Sequence, residues 1–109
     1  MNESEFVDLA EETIEAIQET IEESGADIDY DEINGVLTLE FENGSQIIFS
    51  KQTPAKQLWM AAKAGGFHFD YDDATQQWLC DSGNKENLHA MLNRLSSEQA
   101  GESVEIFSV

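Results

Sequence analysis

Two Asn-Gly pairs in close succession, Asn34-Gly35 and Asn43-Gly44, constrain this chain more than any other feature. Asn and Gly both accept positive φ, which tight hairpin turns require, so each pair reads as a reversal between neighbouring antiparallel strands. The flanks agree with that reading. Ile28 and Tyr30 alternate with Asp27, Asp29 and Asp31, Leu37, Leu39 and Phe41 share one face of Val36 to Glu42, and a third run covers Ile47 to Ser50. Breaks at Pro54, at Gly65-Gly66 and at the polar stretch Tyr71 to Thr75 then separate three more segments. Phe67 to Asp70 and Gln76 to Asp81 read as strands, whereas Gln57 to Ala62 fits a strand or a helical turn on periodicity alone.

A helical pattern stands at each end. From about residue 3 to residue 23, Phe6, Ala10, Ile14, Ile17 and Ile21 fall on one side at 100° per residue. Asn2 with Glu5 has the spacing of a capping box, Ser4 is an alternative cap, and Ser24-Gly25 is a stop. The second helix is expected from Asn84 to Gln99, with Leu88, Met91, Leu92 and Leu95 on its apolar stripe. The partly apolar tail from Glu102 to Val109 is expected to pack beside it. Helix, five or six short strands and helix imply an α+β fold. The expected architecture is a two-layer α/β sandwich, one domain spanning residues 1–109, with both helices covering one face of an antiparallel sheet. The other face is then open to solvent and available for recognition.

Charge narrows the function. The first 32 residues carry thirteen Asp and Glu and no Lys or Arg, and the whole chain has 23 acids against 5 bases, a formal charge of -18. On the first helix Asp8, Glu11, Glu12, Glu15, Glu19, Glu22 and Glu23 oppose the apolar side. Like charges four residues apart destabilise a helix by a few tenths of a kcal/mol per pair, so helix propensity alone does not account for Glu at all of these positions. Asp is a poor strand former, and its recurrence at Asp27, Asp29 and Asp31 asks for a reason too. Hard metal ions or a basic protein surface would supply one. With no positive patch, neither nucleic acid nor an anionic membrane is an expected partner. Cys80 is the only cysteine, no secretion signal is legible at the start, and no apolar run has spanning length, so a cytoplasmic setting is expected.

Several other residues bear on chemistry. His68 alternates with Phe67 and Phe69 and is expected on the open face, with a recognition or accessory-ligand role. His89 reads as a surface residue and Cys80 as a buried, inert thiol. No Ser-His-Asp arrangement, phosphate loop or dinucleotide fingerprint is legible, and solvated carboxylates keep similar pKa values, which does not favour acid–base catalysis.

The chain resembles the bacterial frataxin family, the CyaY-type proteins, over essentially its whole length. The resemblance is carried by the opening Met1-Asn2-Glu3-Ser4-Glu5-Phe6, by Glu32-Ile33-Asn34-Gly35-Val36-Leu37-Thr38 and by Phe41-Glu42-Asn43-Gly44-Ser45. Gln57-Leu58-Trp59-Met60-Ala61, Gly65-Gly66-Phe67-His68-Phe69, Trp78-Leu79-Cys80-Asp81 and Gln99-Ala100-Gly101-Glu102 complete it. Glutamates stand late in the first helix where some relatives carry aspartates. The resemblance makes Gln57 to Ala62 a strand and Trp59 an exposed sheet aromatic rather than the core residue that periodicity alone suggests. Trp78 stays structural. It implies weak binding of Fe²⁺ and Fe³⁺ on an acidic ridge that here comprises Glu12, Glu15, Glu19, Glu22, Glu23, Asp27, Asp29 and Asp31. It also implies docking to cysteine desulfurase, with the iron–sulfur scaffold protein as a further candidate, through Glu19, Glu22, Glu23, Trp59 and His68. Iron carriage or storage and weak ferroxidase activity are the alternatives, and a monomer that forms metal-driven oligomers is the implied state. Exposed carboxylates favour weak, water-completed sites with modest selectivity, so other divalent and trivalent cations are expected to substitute.

Overall fold

The structure, a computed structural model, describes residues 1–107. Helix α1 spans Glu3–Ser24 and opens with the expected box: Asn2 Oδ1 accepts the Glu5 N–H at 2.8 Å and Glu5 Oε1 accepts the Asn2 N–H at 3.1 Å. It closes at Gly25, whose φ of 71° is the left-handed conformation that glycine adopts without a steric penalty. The five apolar residues of the stripe, Phe6, Ala10, Ile14, Ile17 and Ile21, are all buried.

Strands β1 (Ile28–Ile33), β2 (Val36–Phe41), β3 (Gln46–Gln52), β4 (Gln57–Ala62), β5 (Gly65–Asp72) and β6 (Gln77–Cys80) form one sheet in sequence order among the described residues. Every pairing is antiparallel. Asn34 and Gly35, at φ 53° and 79°, make the first two-residue reversal and fix Ile33 opposite Val36. At the second, Gly44 has φ 86°, and Asn43 Oδ1 accepts from both the N–H and the hydroxyl of Ser45. Helix α2 follows at Leu88–Ala100.

Several boundaries differ from the sequence reading: β3 is longer at both ends, and β5 runs on through Tyr71 and Asp72, read as loop, to pair with Trp78 and Gln77. Gly65 and Gly66, read as a break, pair with Ala62 and Ala61. The chain reverses one step earlier at Lys63 and Ala64, and Gly65 takes a φ of 142° closed to other residues. Gln76 drops out of β6 because it adopts a left-handed φ of 55° in the turn. Helix α2 begins at Leu88 rather than Asn84, because Asn87 caps it by accepting the Ala90 N–H at 2.8 Å while Lys85 turns left-handed at φ 56°.

Strand alternation divides the sheet into two faces. Leu37, Leu39, Phe41, Ile47, Phe49, Leu58, Met60, Phe69, Trp78 and Cys80 point at the helices and are buried with the apolar stripes of α1 and α2. Each large side chain so buried contributes about 1.5–3 kcal/mol of transfer free energy. Trp78 is held edge-on by Phe6 and Tyr71, and its Nε1 donates to Thr13 Oγ1 at 2.9 Å. The tail packs on α2 as expected: Asn93 Oδ1 accepts from the N–H groups of Ile106 and Phe107, and Ile106 is buried. The last two residues of that expectation, Ser108 and Val109, lie outside the described residues.

Candidate functional site

The opposite sheet face carries the alternate residues. Trp59 of β4 lies directly across from His68 of β5, and their rings stack at 4.3 Å with 22° between planes. Trp59 is 37% exposed. Its Nε1 donates to Gln57 Oε1 at 3.0 Å, and Gln57 Nε2 in turn donates to Asp70 Oδ1 and Asp81 Oδ2. His68 Nδ1 lies 3.6 Å from Asp81 Oδ2. The indole is thus held flat in a polar frame, an arrangement suited to receive an apolar group from a partner without rotamer loss. In the same row of the sheet stand Ile33 and Val36, which with Trp59 and Met1 are the large hydrophobic residues most open to solvent.

All eight ridge acids are exposed, but they occupy three places. Glu15, Glu19, Glu22 and Glu23 lie on the outer side of α1, whose tie to β1 runs through Tyr30 and Glu32: the Tyr30 hydroxyl donates to Glu22, and Gln18 Nε2 donates to Glu32 Oε1 at 2.7 Å. The bond to Glu22, then burial and the nearby negative charge, raise the Tyr30 phenol above its ordinary range. Asp29 and Asp31 project instead onto the open face, because Ile28 and Tyr30 take the helix side. Glu12 shares the outer side of α1, between Glu19 and Glu23 around the helix, and borders a cleft with Leu9, Thr13, Ala16, Tyr71 and Trp78. Asp27 lines a separate cleft of about 380 Å³ beside Glu42, Glu102 and Glu105, where α1 and α2 both end.

Among the described residues, the ion pairs join Lys51 to Glu11 and Arg94 to Glu86 and Glu98, so none neutralises a ridge acid. Nor does any group of three or more His, Cys, Asp or Glu among them converge closely enough to enclose a metal ion. The donors are hard oxygens suited to iron and similar cations, each presented singly to water. Such a surface attracts cations by its field.

Sequence reasoning passed over four residues of this region. Glu40 stands opposite Asp29 across β1 and β2 and extends the acids onto the open face. The two-residue turn at Asn34-Gly35 already sets that register. Gln57, Asp70 and Asp81, which frame Trp59 and His68, depend on β4–β5 pairing and on a loop position after β6, and no local sequence signal marks them. His89, read as a surface residue, is exposed yet lies flat on Phe107 at 3.9 Å. Desolvation there lowers its pKa.

The frame is an open-faced antiparallel sheet backed by two helices, with an acidic flank and an exposed aromatic. Residues 1–102 match the sequence model of the frataxin-like domain, and the chain belongs to the frataxin family. It is 50% identical over 105 residues to the iron-sulfur cluster assembly protein CyaY of Pseudomonas aeruginosa, covering 96% of each chain. To the protein of that name from Ectopseudomonas mendocina it is 48% identical, covering 96% of this chain and 94% of the other. The solved frataxin of Psychromonas ingrahamii, described within the CyaY family, superimposes with a TM-score of 0.88 at 39% identity, covering 99% of this chain and 100% of that one. No helix among the described residues is long and apolar enough to cross a membrane.

Proposed function

We propose that this protein acts in iron–sulfur cluster assembly, docking onto cysteine desulfurase and modulating its output, and that it holds Fe²⁺ and Fe³⁺ weakly on its ridge. The observation that carries the reading is that Asp29, Asp31 and Trp59 share one sheet face, with the α1 glutamates adjoining across the β1 edge. One surface therefore offers a negative field that steers a basic partner and a framed aromatic that anchors it. The relatives named as iron-sulfur cluster assembly proteins support the pathway. The buried single thiol of Cys80 suits a reducing, cytoplasmic setting.

In this scheme iron is cargo or effector rather than a resident cofactor. Glu19, Glu22, Glu23, Asp29 and Asp31 supply oxygen ligands, and water completes each shell. Metal occupancy relieves repulsion along the ridge and so raises apparent stability by mass action.

Calorimetric titration into purified cysteine desulfurase, at two salt concentrations and with or without Fe²⁺, tests the reading. A saturable complex that salt weakens is expected. Absence of a complex in all conditions, with iron still binding the protein alone, overturns docking and leaves an iron carrier or store.

A further inference from the structure

The two edges of the sheet are treated differently. At β6 the following loop covers the edge: the Cys80 N–H donates to the Glu86 carbonyl at 2.9 Å and Leu79 bridges to Asn87. At β1 no described residue pairs with the outer side. The register identifies which groups face out. The Phe41 N–H bonds to the Ser45 carbonyl, away from β1, so Phe41, Leu39 and Leu37 turn toward β3, and Glu40, Thr38 and Val36 bond to Asp29, Asp31 and Ile33. The N–H and C=O groups of Tyr30 and Glu32 are left pointing outward.

An open edge of this length normally carries a defence against strand addition, such as lysine, proline or a bulge. Here six consecutive residues pair with β2 without a bulge, and the segment holds neither lysine nor proline. Its only defence is charge of a single sign, from Asp29, Asp31 and Glu32 within the strand and Asp27 beside it. That defence repels a second copy of the chain, because self-pairing sets carboxylates against carboxylates. It attracts a basic strand.

We propose that the outer edge of β1 receives an added basic β-strand from a partner protein, antiparallel to β1. The inference deepens the docking reading, on whose negative surface it rests, by assigning a mode of recognition. Backbone bonds form to Tyr30 and Glu32, and side-chain alternation sets the sequence preference. Running from Ile33 back to Asp29, the incoming strand meets exposed Ile33, then Glu32, Asp31, Tyr30 and Asp29. The matching order is apolar, basic, basic, apolar, basic.

The probe is a cyclised hairpin whose free edge presents Val-Lys-Arg-Val-Lys, compared with the same hairpin N-methylated at the second and fourth residues. Methylation removes the two donors and leaves the charge unaltered. Binding and amide exchange are read by NMR. The unmethylated hairpin is expected to bind and to slow exchange at Tyr30 and Glu32, and the methylated one to bind at least about tenfold more weakly, the loss for an unmade backbone hydrogen bond. Glu32→Pro, which removes an outward N–H and spares the β1–β2 ladder, is expected to match the methylated probe. Glu32→Gln is expected to stay within about threefold of the parent at equal salt, as for an exposed charge pair.

Equal binding of the two hairpins, unaltered exchange at Tyr30 and Glu32, or no binding overturns strand addition, and the hairpin comparison needs no variant to fold. The desulfurase separates the two readings. If it binds the Pro and Gln variants equally and in a salt-dependent way, ridge docking stands and strand addition falls. If it does not bind the parent protein, the docking reading fails, and the hairpins still decide the edge.

Discussion

Trp59→Ala separates recognition from folding. The indole is 37% exposed and rests on His68 at 4.3 Å, so truncation removes the ring stack and part of an already half-open contact. A stacked aromatic pair contributes about 0.5–1.5 kcal/mol beyond its area, which places the folding loss at about 1–2 kcal/mol. A chain of this size then melts about 5–10 °C lower. A fully buried ring behaves differently: Phe6→Ala, at 0% exposure, is expected to lose about 3–5 kcal/mol. For docking, a central aromatic anchor is worth about 2 kcal/mol or more, so affinity for the desulfurase should fall about thirtyfold, through faster dissociation. His68→Ala removes only the support beneath the ring and should weaken binding less. Calorimetric binding alongside thermal melts of both variants gives the comparison. Melting losses in Trp59→Ala as large as in Phe6→Ala, or binding within about twofold of the parent, would refute the anchor assignment.

Replacing Glu19, Glu22 and Glu23 together with Gln should weaken both iron and desulfurase binding and raise the melting temperature in low salt; unchanged affinities, or a lower melting temperature, would count against the ridge. The His89 pKa is lowered by desolvation against Phe107, so its contribution to stability is complete above the ordinary value of 6.5 and is lost as pH falls through the lowered folded value. His89→Gln should abolish that acid-side loss in pH-dependent melts. The Tyr30 phenol, raised chiefly by its bond to Glu22, contributes stability that is present below its ordinary pKa of 10.0 and is lost as pH rises through the folded value. Ultraviolet titration of Glu22→Gln should return Tyr30 toward the ordinary range.

Much of the fold was legible because local chemistry and long-range packing agree. Asn34-Gly35 needs positive φ and receives it, Asn2 and Glu5 cap α1, and the buried stripe of α1 matches its 3.6-residue period residue for residue. Boundaries moved where one side chain or one backbone angle overrides composition: Asn87 caps α2 where Asn84 was expected to begin it, and Gln76 leaves β6 by turning left-handed. Gln57 to Ala62 was ambiguous because a short run with Leu58 and Met60 fits both periods, and only its pairing with β3 and β5 makes it a strand. The ridge was legible as composition but not as a surface. Strand alternation sends Asp29 and Asp31 to the face of Trp59, away from the helix glutamates, and that placement is not visible until α1 is set on the sheet.

The most direct test is amide chemical-shift mapping of the labelled protein as cysteine desulfurase is added. A single continuous footprint on Glu19, Glu22 and Glu23, on Asp29 and Asp31, and on Trp59 and His68, shrinking as salt rises, is the expected result. Shifts centred instead on the Leu9, Tyr71 and Trp78 cleft and insensitive to salt would contradict the account.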